Sequence, residues 1–186
     1  MEKVAQLLTN VIASHNDYTE SQARIIKFGL QCLLGETMKF LVYFTLFSLF
    51  SLHGYFVAAS VAFCVLRIFA GGYHAKTYSG CLFTSLLLFV IIILPGQYFI
   101  FDFYVKITMI LLSILLLSIY APTDHPNKPI ISMDRRKRMR ILSILVGIGF
   151  IASSFFFDNI YSQVILMAVF VEALTLPIGR YFHKQT

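Results

Sequence analysis

The sequence predicts an all-α polytopic membrane protein, and three observations lead there. Of the 186 residues, 58% are hydrophobic and 13% charged, whereas soluble domains run at about 45–50% and about 25%. The apolar residues form long uninterrupted runs, as membrane-spanning helices require. The basic residues flank those runs, so the net charge of +6 suits anionic lipid headgroups. With no separate soluble domain to carry a basic patch, no nucleic acid is expected as a partner.

The elements follow in order. Val4, Leu7, Leu8, Val11 and Ile12 recur at helical spacing among Glu2, Lys3, Gln6 and Asn10, an amphipathic segment suited to the membrane surface. Thr19 and Gln22 have capping-box spacing for a second helix through Ile25, Ile26, Phe28 and Leu30. Six apolar stretches come next: Met38 to Leu52, Gly54 to Ala70, Cys81 to Leu94, Phe103 to Tyr120, Ile141 to Phe157 and Ile160 to Gly179. Several fall short of the ~20 residues that span a typical hydrocarbon core. The expectation is one integral membrane domain over 1–186, with interfacial helices in 1–35 and a six-helix bundle in 36–186. The first twenty residues lack a signal-peptide core and cleavage site, so insertion is expected through the first span.

Charge sets the expected orientation. Lys128, Arg135, Arg136, Lys137, Arg138 and Arg140 crowd the connection between the fourth and fifth stretches, which the positive-inside rule assigns to the cytoplasm. Alternation then puts both termini and the Arg67 to Gly80 loop inside. The turns near His53, Gly96 and Asp158 fall outside. Of the 15 Lys and Arg residues, all but Lys106 lie at or near the inner side.

The 3 cysteines, Cys32, Cys64 and Cys81, are widely spaced and form no CxxC pair. Neither a disulfide framework nor a metal site is suggested, and no cofactor is expected. Chemistry concentrates between the second and third spans, in Arg67-Ile-Phe-Ala-Gly71-Gly72-Tyr73-His74-Ala-Lys76-Thr-Tyr-Ser-Gly80-Cys81. An imidazole can take a thiol proton, and the thiolate can attack a carbonyl. Residues seven apart on one helix are separated by about 10.5 Å along its axis. A working His74–Cys81 pair therefore needs a bend, for which Ser79-Gly80 is a candidate. Gly71-Gly72 would let the chain turn or a substrate backbone approach. On spacing alone, a chance pairing of the two residues is about as good an account.

The combination of arginine, glycine-rich turn, His-Ala and a cysteine seven residues on resembles the accessory gene regulator B (AgrB) family of quorum-sensing membrane endopeptidases. Tyr120-Ala121-Pro122 with Asn127-Lys128-Pro129-Ile130, and Glu172-Ala-Leu-Thr-Leu-Pro177, resemble further segments of that family. The resemblance implies a peptidase in a bacterial plasma membrane, with His74 and Cys81 as catalytic residues facing the cytoplasm. It implies as partner an amphipathic precursor peptide (AgrD-like), whose C-terminal tail is cut off and which is closed into a thiolactone. It also implies a homodimer.

Other residues have two readings each. Glu172 lies within an apolar span, where a carboxylate is suspected of function; support and substrate contact are the functional roles, a paired structural group the plain one. Asp124 can orient His74 as a third member or cap the loop before Pro126. Arg67 can bind a substrate carboxylate, favour the thiolate, or anchor the end of the second span. Cys32 and Cys64 read as packing residues. The rival function is a small transporter or channel component exporting a peptide, with Glu172 lining the path.

Overall fold

The computed structural model describes residues 6–7, 9, 20–72, 77–123 and 132–184. Among them are six long helices: α1 (Glu20–Leu49), α2 (His53–Ala70), α3 (Tyr78–Tyr98), α4 (Phe103–Tyr120), α5 (Met133–Ser154) and α6 (Asn159–Lys184). The chain divides into two compact units, Met1–Ser51 and Leu52–Thr186.

The first unit is dominated by α1, one helix of 30 residues. It runs on past residue 35, and its side chains support it. Glu36 and Lys39 pair one turn apart, which supports the helix. The Thr37, Thr45 and Ser48 hydroxyls donate to the carbonyls of Leu33, Leu41 and Phe44 at 2.8, 2.9 and 2.6 Å, keeping their polarity within the helix. The chain leaves α1 through Ser51 at φ +58°, a left-handed exit common after helix ends. The expected surface segment before Thr19, and Thr19 itself, lie mostly outside the described residues.

The second unit is an alternating bundle of α2 to α6. At one end, here the near end, Thr123 N–H donates to Ala70 O at 2.9 Å and Arg140 Nε donates to Ala121 O at 2.8 Å. These bonds join the exits of α2 and α4 to the start of α5. At the far end, Tyr55 and Tyr161 rings lie 4.8 Å apart, and Phe101 N–H donates to Gln163 Oε1 at 2.7 Å. The core between them includes Leu66, Ala70, Leu117, Ile151, Leu166, Val169, Ala173 and Leu176. Helix α6 is its axis: 72% of its apolar stretch is buried, against 17% for α4. The outer helices turn Phe83, Leu87, Leu111, Leu115 and Leu145 outward, the arrangement expected where lipid is the solvent.

Five helices, α1, α2, α3, α4 and α6, are long and apolar enough to cross a membrane. The sequence predicts six spans, and α5 is the difference. Its first two turns carry Asp134, Arg135, Arg136, Lys137, Arg138 and Arg140, so its apolar part starts only at Ile141. It nevertheless runs from the near end to the far end, and Gly147 brings it tightly against α4. A Cβ on Gly147 would stand 2.8 Å from Leu117 Cδ1, the close approach that small residues permit between membrane helices.

Candidate functional site at the near end of the bundle

Arg67 occupies the last turn of α2, its guanidinium carbon 5.4 Å from the Phe63 ring centroid. Nη1 donates to Glu172 Oε2 across the bundle at 3.1 Å. Glu172 is fully buried. Thr175, one turn further along α6, donates its hydroxyl to Glu172 O at 2.8 Å and to Oε2 at 3.2 Å. Among the described residues, Glu172 Oε1 has no hydrogen-bond partner. The carboxylate expected to be costly in a span is therefore paired, on one of its two oxygens.

The chain then makes its two-glycine turn. Gly71 has φ +78° and Gly72 φ +138°, values that side-chain-bearing residues adopt only with strain. Space forbids a side chain as well. A Cβ on Gly71 would stand 2.2 Å from Thr123 O, and one on Gly72 would stand 2.8 Å from Thr175 Oγ1 and 3.2 Å from Arg67 Nη1 and Glu172 Oε1. Gly71 and Thr123 form a parallel bridge, and Thr123 Oγ1 reaches Leu176 O at 3.4 Å. The exits of α2 and α4 are thereby fastened to each other and to α6. Arg180 stands over the Tyr120 ring at 5.8 Å, adding a cation–π contact between α6 and α4.

Helix α3 opens on Thr77, whose Oγ1 accepts the Gly80 N–H at 3.1 Å, an N-cap. Cys81 lies in the first turn, its N–H donating to Thr77 O at 2.9 Å, and the residue is partly buried. Sequence spacing requires a bend between His74 and Cys81 and points to Ser79-Gly80. The helix instead begins at Tyr78, so the break lies at Thr77 and Ser79-Gly80 belongs to the helix. His74 and Asp124 lie outside the described residues, as do Asn127, Lys128, Pro129 and Ile130 and the side chain of Cys32. Cys64 is an exposed cysteine on α2. Among the described residues no group of three metal-ligating side chains comes together.

Of the candidates singled out in the sequence, Arg67, Gly72 and Glu172 meet, and Gly71 adjoins them. Thr123 and Thr175 were not anticipated. Thr175 was signalled only by its i,i+3 spacing from Glu172, and Thr123 by nothing local.

An all-helical bundle with apolar outer faces and a polar, glycine-lined cluster at one end defines a multipass membrane protein with a candidate site at the end of its bundle. The family model for Accessory gene regulator B matches residues 5–176, and the chain belongs to that family. It is 27% identical to accessory gene regulator protein B of Staphylococcus lugdunensis, over 100% of this chain and 97% of that relative. It is also 27% identical to the protein of the same name from Staphylococcus aureus (strain bovine RF122 / ET3-1), over 98% of this chain and 96% of the relative. The Staphylococcus aureus (strain Newman) protein is 26% identical over 98% and 95%. No solved structure matches the chain.

Proposed function

We propose that this chain is a membrane cysteine endopeptidase that removes the C-terminal tail of an amphipathic, AgrD-like precursor and promotes its closure to a thiolactone. Family membership supports the coarser part, a role in the agr quorum-sensing system. The observation that carries the finer part is the near end itself. The partly buried Cys81 opens α3 where a braced Gly71-Gly72 turn closes α2, and His74 lies in sequence between these anchors.

In the reaction, His74 takes the Cys81 thiol proton as Sγ attacks the scissile carbonyl. It returns that proton to the departing amine, so the tail leaves and an acyl thioester remains on Cys81. The precursor's own cysteine then attacks the thioester, giving a cyclic thiolactone and restoring the Cys81 thiol. Holding that thiol near the carbonyl favours it over water. Exchanging an amide for a thioester is unfavourable, so loss of the released tail would drive the step. The whole chain works as one membrane domain, its near end at the cytoplasmic face of a bacterial plasma membrane among anionic lipids. Pairing as a homodimer belongs to the same reading. Glu172, enclosed and bonded to Arg67 and Thr175, gives the rival transporter reading little to build on.

Co-expression with the cognate precursor and intact-mass analysis tests this. Cys81→Ser and His74→Ala should each abolish cleavage with insertion preserved, while Cys32→Ser and Cys64→Ser stay active. The active chain should give a tail-less peptide lighter by one water than the linear acid. Full processing by Cys81→Ser would sink the endopeptidase; cleavage to the linear acid alone would keep it and reject transfer to the substrate thiol.

A further inference from the structure

Glu172 binds two donors from different helices. Arg67 Nη1 comes from the end of α2 at 3.1 Å, and Thr175 Oγ1 from the next turn of α6 at 3.2 Å, both to Oε2. The ion pair joins residues 105 apart in sequence, so it is a tie across the bundle. Gly72 lies on this tie, close enough that a Cβ would meet Thr175 Oγ1, Arg67 Nη1 and Glu172 Oε1 within 3.2 Å. One residue earlier, Gly71 is bridged to Thr123 at the exit of α4. The turn is braced on one side by α4 and on the other by the Arg67–Glu172 tie.

Stability alone does not account for the tie. A buried ion pair is often no more stabilising than apolar side chains of similar volume, and losing one partner is what harms the fold. What an apolar pair lacks is the directional hydrogen bond of a guanidinium to a carboxylate, here Nη1 to Oε2, which orients both groups. Gly72 lies against that pair, with Arg67 Nη1 and Glu172 Oε1 3.2 Å from the place of its absent Cβ. Only residues 73–76 separate Gly72 from Thr77, the cap of α3, so a displacement of either anchor passes into a short connection.

We infer that Glu172, together with Thr175, is a positioning residue acting through Arg67: the tie sets the backbone of Gly72 and so the departure of the segment that brings His74 to Cys81. This inference rests on the reading of His74 and Cys81 as the catalytic pair. Glu172 touches neither the substrate nor the reacting atoms; its work is done on the turn.

The test needs no precursor. The full chain, with Cys32→Ser and Cys64→Ser so that only Cys81 reacts, is placed in phosphatidylglycerol and phosphatidylethanolamine vesicles. Iodoacetamide alkylation is timed at neutral and at alkaline pH. Losing the base in His74→Ala should slow the neutral reaction about tenfold and spare the alkaline one. The double variant Arg67→Met, Glu172→Met keeps side-chain bulk without a stranded charge. It should show the same selective loss at neutral pH, with thermal unfolding unchanged. Thr175→Val, which removes only the hydroxyl, should slow the neutral reaction about threefold and decides the matter if the double variant unfolds. A parental profile in the folded double variant, or in Thr175→Val where the double does not fold, overturns the positioning role while the effect of His74→Ala persists. If His74→Ala itself changes nothing, the catalytic pair fails, and the positioning role falls with it.

Discussion

Gly71 concentrates two independent demands on one residue. Its φ of +78° disfavours any side chain, and the carbonyl oxygen of Thr123 occupies the place of a Cβ, 2.2 Å away. Backbone atoms cannot swing aside as the end of a long side chain can, so Gly71→Ala should both strain the turn and part it from α4. The strained backbone alone costs on the order of 1–3 kcal/mol, to be read as a lower unfolding midpoint in detergent. Gly149, exposed on α5 with nothing within 4 Å of its Cβ position, is the control. Gly149→Ala should be neutral or stabilising by up to about 1 kcal/mol. Equal effects at the two positions would refute the account of the turn. The importance of the glycine pair was legible in the sequence, as was the oddity of Glu172 in a span. Their meeting was not, because nothing local to Arg67 or Glu172 announces a partner 105 residues away, and the bundle topology decides it.

Helices were legible where composition changes abruptly at both ends. The sequence gives Phe103 to Tyr120 the boundaries that α4 has, since Asp102 and Pro122 bracket a run whose one charged residue is Lys106. Helix α3 outruns its apolar stretch because Thr77 caps it early and because Pro95 sits near its end, where the helix continues to Tyr98. A proline there forfeits the one bond its own N–H would make to the carbonyl of Ile91, and the last turn is closed by Phe99 N–H on Pro95 O at 3.0 Å. Helix α1 joins two stretches that the sequence presents separately, the helix through Leu30 and the apolar run from Met38, and the Glu36–Lys39 pair lies at their junction. Packing between elements was the least legible, and Gly147 shows why: its value depends on Leu117 of α4, which no window of sequence contains. A double-mutant cycle tests that contact. Gly147→Ala should destabilise in the parent as the added methyl meets Leu117 Cδ1, by about 1–3 kcal/mol less the helix gain of alanine. In a Leu117→Ala background the same change should be tolerated or stabilising, a favourable coupling of about 0.5–3 kcal/mol. Additive effects would place the two helices further apart than described.

The bundle as a whole has one strongly basic end. Arg67, Arg135, Arg136, Lys137, Arg138, Arg140 and Arg180 lie at or beyond the near end, whereas Lys106 begins α4 at the far end. In a bacterial membrane this asymmetry favours the near end on the cytoplasmic side. Helix α5 decides whether the connectivity agrees. Its 22 residues give a length of about 33 Å, enough for a hydrocarbon core of about 30 Å, provided the basic first turns stay at headgroup level and extend their charges into water. Its two ends then lie on opposite sides, with Arg136 inside and Asp158, just before α6, outside. A cysteine replacing Arg136 in a chain lacking Cys32, Cys64 and Cys81 should react with a membrane-impermeant maleimide only after the cells are opened. One replacing Asp158 should react in intact cells. Reaction of both in intact cells would take the near end out of the cytoplasm and remove the basis for a cytoplasmic cut; protection of both would mean that α5 does not cross, reducing the spans to the five that are apolar throughout. The expected pattern would join the basic end, the Gly71-Gly72 turn and Cys81 on the side where the proposed precursor would first meet the membrane.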